Sequence, residues 1–82
     1  MVLVDNDPHF EHIIKKIKDH ALKERLEKQI ARIIDNPEIG KPMRYDRKGT
    51  REIYIPPYRL SYAYIEKEGK IIFLDLYHKD EQ

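Results

Sequence analysis

The hydrophobic pattern of this chain changes period once, at Gly40-Lys41-Pro42, and that change limits the folds open to it. Before the switch, apolar residues recur at helical spacing. Phe10, Ile13, Ile14 and Ile17 fall at i, i+3, i+4 and i+7, one face of an amphipathic helix ending near Lys18. Leu22, Leu26, Ile30, Ile33 and Ile34 form a longer stripe on a second helix, which Asn36-Pro37 stops. Asp7-Pro8 and Asp19 are N-terminal signals: aspartate caps orphan N–H groups, and proline is tolerated at the first helical position. The link between the helices is short, which predicts an antiparallel hairpin.

After the switch the pattern alternates. Arg51–Ile55 reads as a strand, Pro56-Pro57 as a turn, and Tyr58–Ile65 as a second strand. On that strand Leu60, Tyr62 and Tyr64 share one face, while Arg59, Ser61 and Ala63 share the other. Glu66–Gly69 is the next turn, and Lys70–Tyr77 a third strand with an apolar centre at Ile71–Leu74. Met1–Asp5 is a short apolar segment that suits a first strand. The expected fold is therefore α+β: a helical hairpin packed on a small antiparallel sheet, in the order β-α-α-β-β-β. With 82 residues, the chain makes one domain over 1–82.

Composition excludes several chemistries. There is no cysteine, hence no disulfide framework, thiolate zinc site or thiol nucleophile. Glycine occurs only at positions 40, 49 and 69, which rules out a Walker loop and a dinucleotide fingerprint. Ser61 is the sole serine and sits in no nucleophile elbow. His9 and His12 stand at i, i+3, but solvent-facing histidines are the commoner reading, and neither metal nor cofactor is expected. No apolar run reaches the roughly 18 residues of a membrane span, and a cytoplasmic location is the expectation.

Charge is uneven along the chain. The formal net charge is +1, yet residues 41–59 carry six basic side chains against two acidic ones, a local +4. The remainder carries ten basic and thirteen acidic residues, a net −3. A basic stretch on an otherwise balanced protein marks a site for phosphate or another anion, or else a solvated loop. Arg59 projects from the face opposite the core, beside strands that carry Glu52, Tyr54, Tyr77 and His78, with Arg44, Arg47 and Lys48 in the loop leading in. An arginine, a glutamate, a tyrosine and a histidine on one sheet face would hold an RNA phosphate and move protons. A plain Arg59–Glu52 cross-strand pair, with His78 a frayed strand end, is the structural alternative.

Gly40-Lys41-Pro42-Met43-Arg44, Gly49, Arg51–Ile55, Tyr58-Arg59-Leu60-Ser61-Tyr62 and Tyr77-His78 resemble the RelE/ParE toxin superfamily of type II toxin–antitoxin systems. The resemblance spans essentially the whole chain and is closest to the RelE/YoeB branch of mRNA interferases. It implies a metal-independent, ribosome-dependent endoribonuclease that cleaves mRNA in the A site by 2′-hydroxyl attack. The implied partners are a cognate antitoxin, the ribosome and mRNA, with no membrane involvement and the oligomeric state left open. By the same resemblance Arg59, His78 and Glu52 are the catalytic candidates. Arg44, Arg47, Lys48, Arg51, Tyr54, Tyr77 and Lys79 are the candidate RNA and phosphate contacts. Lys79 stands where YoeB proteins carry a terminal tyrosine, and no residue after Lys41-Pro42 matches their loop glutamate. The alternatives are a non-catalytic, gyrase-binding toxin of the ParE kind and a degenerate toxin that only binds its antitoxin.

Overall fold

The computed structural model describes residues 2–43 and 49–81. Strand β1 (Leu3–Asn6) leads into helix α1 (Pro8–Lys16) and helix α2 (His20–Asp35). A two-residue β2 (Lys41–Pro42) follows, then β3 (Thr50–Ile55), β4 (Tyr58–Ile65) and β5 (Lys70–His78). Both aspartate caps form: the Asp7 side chain accepts from the His9 N–H, and that of Asp19 from the N–H groups of Ala21 and Leu22. α1 stops at Lys16 because Ile17 is already extended, with ψ at 120°.

The sheet has five strands in the order β1-β5-β4-β3-β2. β3, β4 and β5 make the expected antiparallel meander. β1 joins the far side of β5 in parallel, so the sheet is mixed. The helical hairpin carries the chain across one face of the sheet, from β1 at one edge to β2 at the other, and the meander then returns to β1. Both helices lie on one face of the sheet.

Between the layers, Phe10, Leu22, Leu26 and Ile33 meet Ile55, Leu60, Tyr62, Ile71, Phe73 and Leu76. Phe10 stacks on Phe73 with ring centroids 5.6 Å apart. Each fully buried large apolar side chain contributes roughly 1.5–3 kcal/mol over an exposed one. Ile34, at the end of the predicted stripe, is instead 39% exposed.

Two departures from simple alternation set the geometry of the open face. The first is a bulge in β5. Ser61 pairs with Asp75 and Tyr62 with Phe73, so Leu74 is an extra residue. Ile71 and Phe73 point into the core, and beyond the bulge Leu76 does so too. The second is a lock at the end of α2. The buried Tyr62 hydroxyl donates to the Pro37 carbonyl at 2.7 Å and accepts from the Gly40 N–H at 2.9 Å. Arg51 Nη1 donates to the carbonyls of Glu38 and Gly40 at 2.9 and 2.8 Å. The period change read at Gly40 is thus held in place by side chains of β3 and β4.

Candidate active site on the open sheet face

The face away from the helices is built by cross-strand register. Tyr54 on β3 pairs with Arg59 on β4, and Arg59 pairs with Tyr77 on β5. Side chains paired in this way project to the same side of a sheet, so these three form one row. Glu52 lies one step along β3, opposite Ser61. Tyr77 reaches diagonally across β4, and its hydroxyl donates to Glu52 Oε2.

Glu52 is the one buried charged residue among the described residues, 5% exposed. Burying a carboxylate is costly unless hydrogen bonds or opposite charge compensate it. The Tyr77 hydroxyl supplies part of that compensation and stands between the carboxylate and the open face.

Arg59 is held differently. Its guanidinium carbon lies 5.4 Å from the centroid of the Tyr54 ring. A cation over an aromatic face gains about 0.5–2 kcal/mol, depending on desolvation. Its Nε is buried without a hydrogen-bond partner among the described residues, and it forms no ion pair there. Register sets Arg59 opposite Tyr54 rather than Glu52, so the simple cross-strand Arg59–Glu52 pair is not formed. A positioned guanidinium with donor capacity to spare, next to a hydroxyl–carboxylate couple, is suited to an anionic ligand that also exchanges protons.

The other candidates fall elsewhere. His78 pairs with Tyr58, and their rings meet edge to face at 5.6 Å. Tyr58 packs against the core, so both rings lie on the helix side of the sheet end. The expected convergence of His78 with Arg59 therefore does not occur. Unbroken alternation from Ile71 and Phe73 would have turned His78 to the open face; the bulge at Leu74 turns Tyr77 there instead. His78 Nδ1 accepts from the Asp80 N–H at 3.2 Å.

Arg51 is occupied by the α2–β2 lock described above and is turned away from the open face. Lys79 is exposed at the sheet end, where its N–H donates to the Pro57 carbonyl. Arg44, Arg47 and Lys48 lie outside the described residues. His9 pairs with Asp75 at 3.2 Å rather than with His12. Among the described residues no group of three or more metal-ligating side chains comes together. No helix among them is long and apolar enough to cross a membrane.

Comparison with known proteins decides the family. The family model of the ParE toxin of type II toxin–antitoxin systems (parDE) matches residues 7–82, nearly the whole chain. The chain belongs to this toxin family. The fold of this RelE/ParE toxin is shared with solved structures at low sequence identity. A chain of the intact Escherichia coli RelBE toxin–antitoxin complex superposes with a TM-score of 0.81 at 18% identity, covering 95% of this toxin and 96% of that chain. The isolated E. coli RelE toxin gives 0.80 at 18% identity, over 95% of this toxin and 84% of RelE. A chain of the Mycobacterium tuberculosis RelBE2 toxin–antitoxin complex gives 0.79 at 22% identity, over 95% and 98%. No curated protein sequence matches the toxin.

Sequence reasoning placed Arg59, Glu52, Tyr54 and Tyr77 near one another, but did not anticipate the direct Tyr77–Glu52 contact. No local sequence signal marks that contact: Phe73 and Leu76 both face the core although three residues apart, which needs the bulge, and the bulge thereby turns Tyr77 to the open face.

Proposed function

We propose that this toxin is an endoribonuclease that acts on mRNA in the ribosomal A site, neutralised by a cognate antitoxin. The observation that carries the reading is the Tyr77–Glu52 hydrogen bond on the same face as Arg59, whose Nε has no partner among the described residues. Arg59 binds the scissile phosphate and stabilises the dianionic phosphorane. The RNA 2′-hydroxyl attacks the adjacent phosphorus. Its proton passes to Tyr77 as Tyr77 passes its own to Glu52. When the P–O5′ bond breaks, Glu52 returns a proton through Tyr77 to the departing 5′-oxygen. The products are a 2′,3′-cyclic phosphate and a 5′-hydroxyl, and the protein ends in its starting protonation state.

The acid role expected for His78 passes to Tyr77 in this scheme, because His78 is turned to the other face. Antitoxin binding is supported by the structural relatives, two of which are toxin–antitoxin complexes.

A second reading is favoured by the family match itself, which is to ParE toxins. In that reading the protein binds DNA gyrase without cleaving RNA. Parallel assays separate the two. The nuclease reading predicts that purified toxin stops cell-free translation and leaves gyrase supercoiling unaffected. Inhibited supercoiling with normal translation would replace it with the gyrase reading.

A further inference from the structure

A groove of about 500 Å³ runs between α2 and the turn end of β3. Arg25, Lys28, Gln29 and Arg32 line its helix wall, and Tyr54 and Pro56 its sheet wall. The three cations stand at i, i+3 and i+7, on one flank of the helix, and all are exposed. The acidic Glu24 and Glu27 of the same helix do not line the groove. None of the three cations forms an ion pair among the described residues. Arg25 also donates to the Pro56 carbonyl, which braces the helix wall against the turn. Like charges at helical spacing repel one another, so three without a neutralising acid suit a polyanion.

Tyr54 connects this groove to the site described above. It is 47% exposed, it lines the groove, and its ring carries the Arg59 guanidinium. Cations tracking a backbone beside an exposed aromatic ring are the combination that holds single-stranded nucleic acid. We infer that the α2–β3 groove carries the RNA strand flanking the scissile phosphate: Arg25, Lys28 and Arg32 meet successive phosphates, and Tyr54 marks the passage into the cleavage site. This rests on the nuclease reading and extends it to the path of the substrate.

The test is fluorescence anisotropy with a labelled, fully 2′-O-methylated RNA of about eight nucleotides, long enough for one groove and not cleavable. Wild type, Arg59→Ala and the double variant Lys28→Gln/Arg32→Gln are titrated at several salt concentrations. Arg25 is left intact because it braces Pro56. The inference predicts that the double variant binds on the order of tenfold more weakly, and that its slope of log K against log salt falls by about 1.4, near 0.7 per lost phosphate contact. Unchanged affinity and slope in the double variant, with binding weakened by Arg59→Ala, would overturn the groove while sparing the nuclease reading. Absence of binding to this free RNA by wild type would overturn the groove, while the nuclease reading, which requires the ribosome, stands or falls on ribosome-dependent cleavage. An oligoglutamate peptide is titrated alongside. If the double variant loses the peptide but keeps the RNA, the groove is a protein-docking site and the inference fails.

Discussion

The Tyr77 hydroxyl reaches across β4 to Glu52 Oε2, joining the two outer strands of the meander over the row that holds Arg59. This contact gives the buried carboxylate a proton path to the open face. Tyr77→Phe keeps the ring and removes the path. RNA cleavage is expected to fall by about 10²-fold or more, the scale of general acid–base catalysis. Glu52→Gln should fall similarly in rate while still binding RNA. Single-turnover rates and binding isotherms on the same variants check both halves. A rate for Tyr77→Phe equal to wild type would remove the relay.

Arg59 is the phosphate-stabilising cation of the account. Arg59→Ala is expected to lower the cleavage rate by roughly 10²–10³-fold, as for loss of one transition-state donor. Arg59→Lys should recover only part of this, because lysine offers a point charge in place of a planar fork. Thermal unfolding should show both variants folded, since the guanidinium lies on the open face rather than in the core. Equal rates for alanine and wild type would show that the cation acts elsewhere.

Most of the fold was legible in the sequence, and the reason is local. Asp7-Pro8, Asp19, Asn36-Pro37, Pro56-Pro57 and Gly69 are residues whose own stereochemistry dictates a cap, a stop or a turn. Gly69 indeed adopts the left-handed conformation, with φ at 59°. β1 was visible as an apolar segment, but its parallel partner was not, because its pairing with β5 is a long-range choice. The site was legible as far as alternation holds. Arg59 and Glu52 fall where the pleat puts them. His78 does not, because one inserted residue reverses the facing of every position after Leu74. A bulge has no dedicated residue type on this chain, so nothing in Ile71–His78 announces it. Arg51 is set apart for a different cause: its Nη1 donates to the loop carbonyls of Glu38 and Gly40 on the face away from Arg59, a long-range contact that alternation does not announce.

Gly40 is required by its surroundings. A Cβ there would lie 2.6 Å from the Tyr62 hydroxyl oxygen and 2.8 Å from the ring carbon Cε1. Tyr62 is fully buried and cannot yield. Gly40→Ala is expected to destabilise the toxin by about 1–3 kcal/mol, the cost of overpacking. A chemical denaturation curve measures it, and a midpoint unchanged from wild type would show that the lock is slack.

Tyr62 also makes stability depend on alkaline pH. Burial raises its hydroxyl above the ordinary value of 10.0, against smaller opposing effects of the Gly40 N–H and of Arg51. Above pH 10 the unfolded chain gives up this proton while the folded one keeps it. Folding therefore binds more protons, and stability falls as pH rises from the unfolded value through the folded one. Tyr62→Phe should abolish that slope. It should also cost about 1–3 kcal/mol near neutrality, because it leaves the Pro37 carbonyl and the Gly40 N–H without their hydroxyl partner. Denaturation midpoints across alkaline pH for the two proteins test this, and parallel curves would contradict it.

If this face cleaves mRNA, it does so on the ribosome. Primer extension on a translated mRNA tests it most directly, with wild type, Arg59→Ala and His78→Gln compared in the presence and absence of ribosomes. Cuts within the reading frame are expected that require ribosomes, vanish with Arg59→Ala and persist with His78→Gln. Intact mRNA after treatment with folded wild-type toxin on translating ribosomes would contradict this.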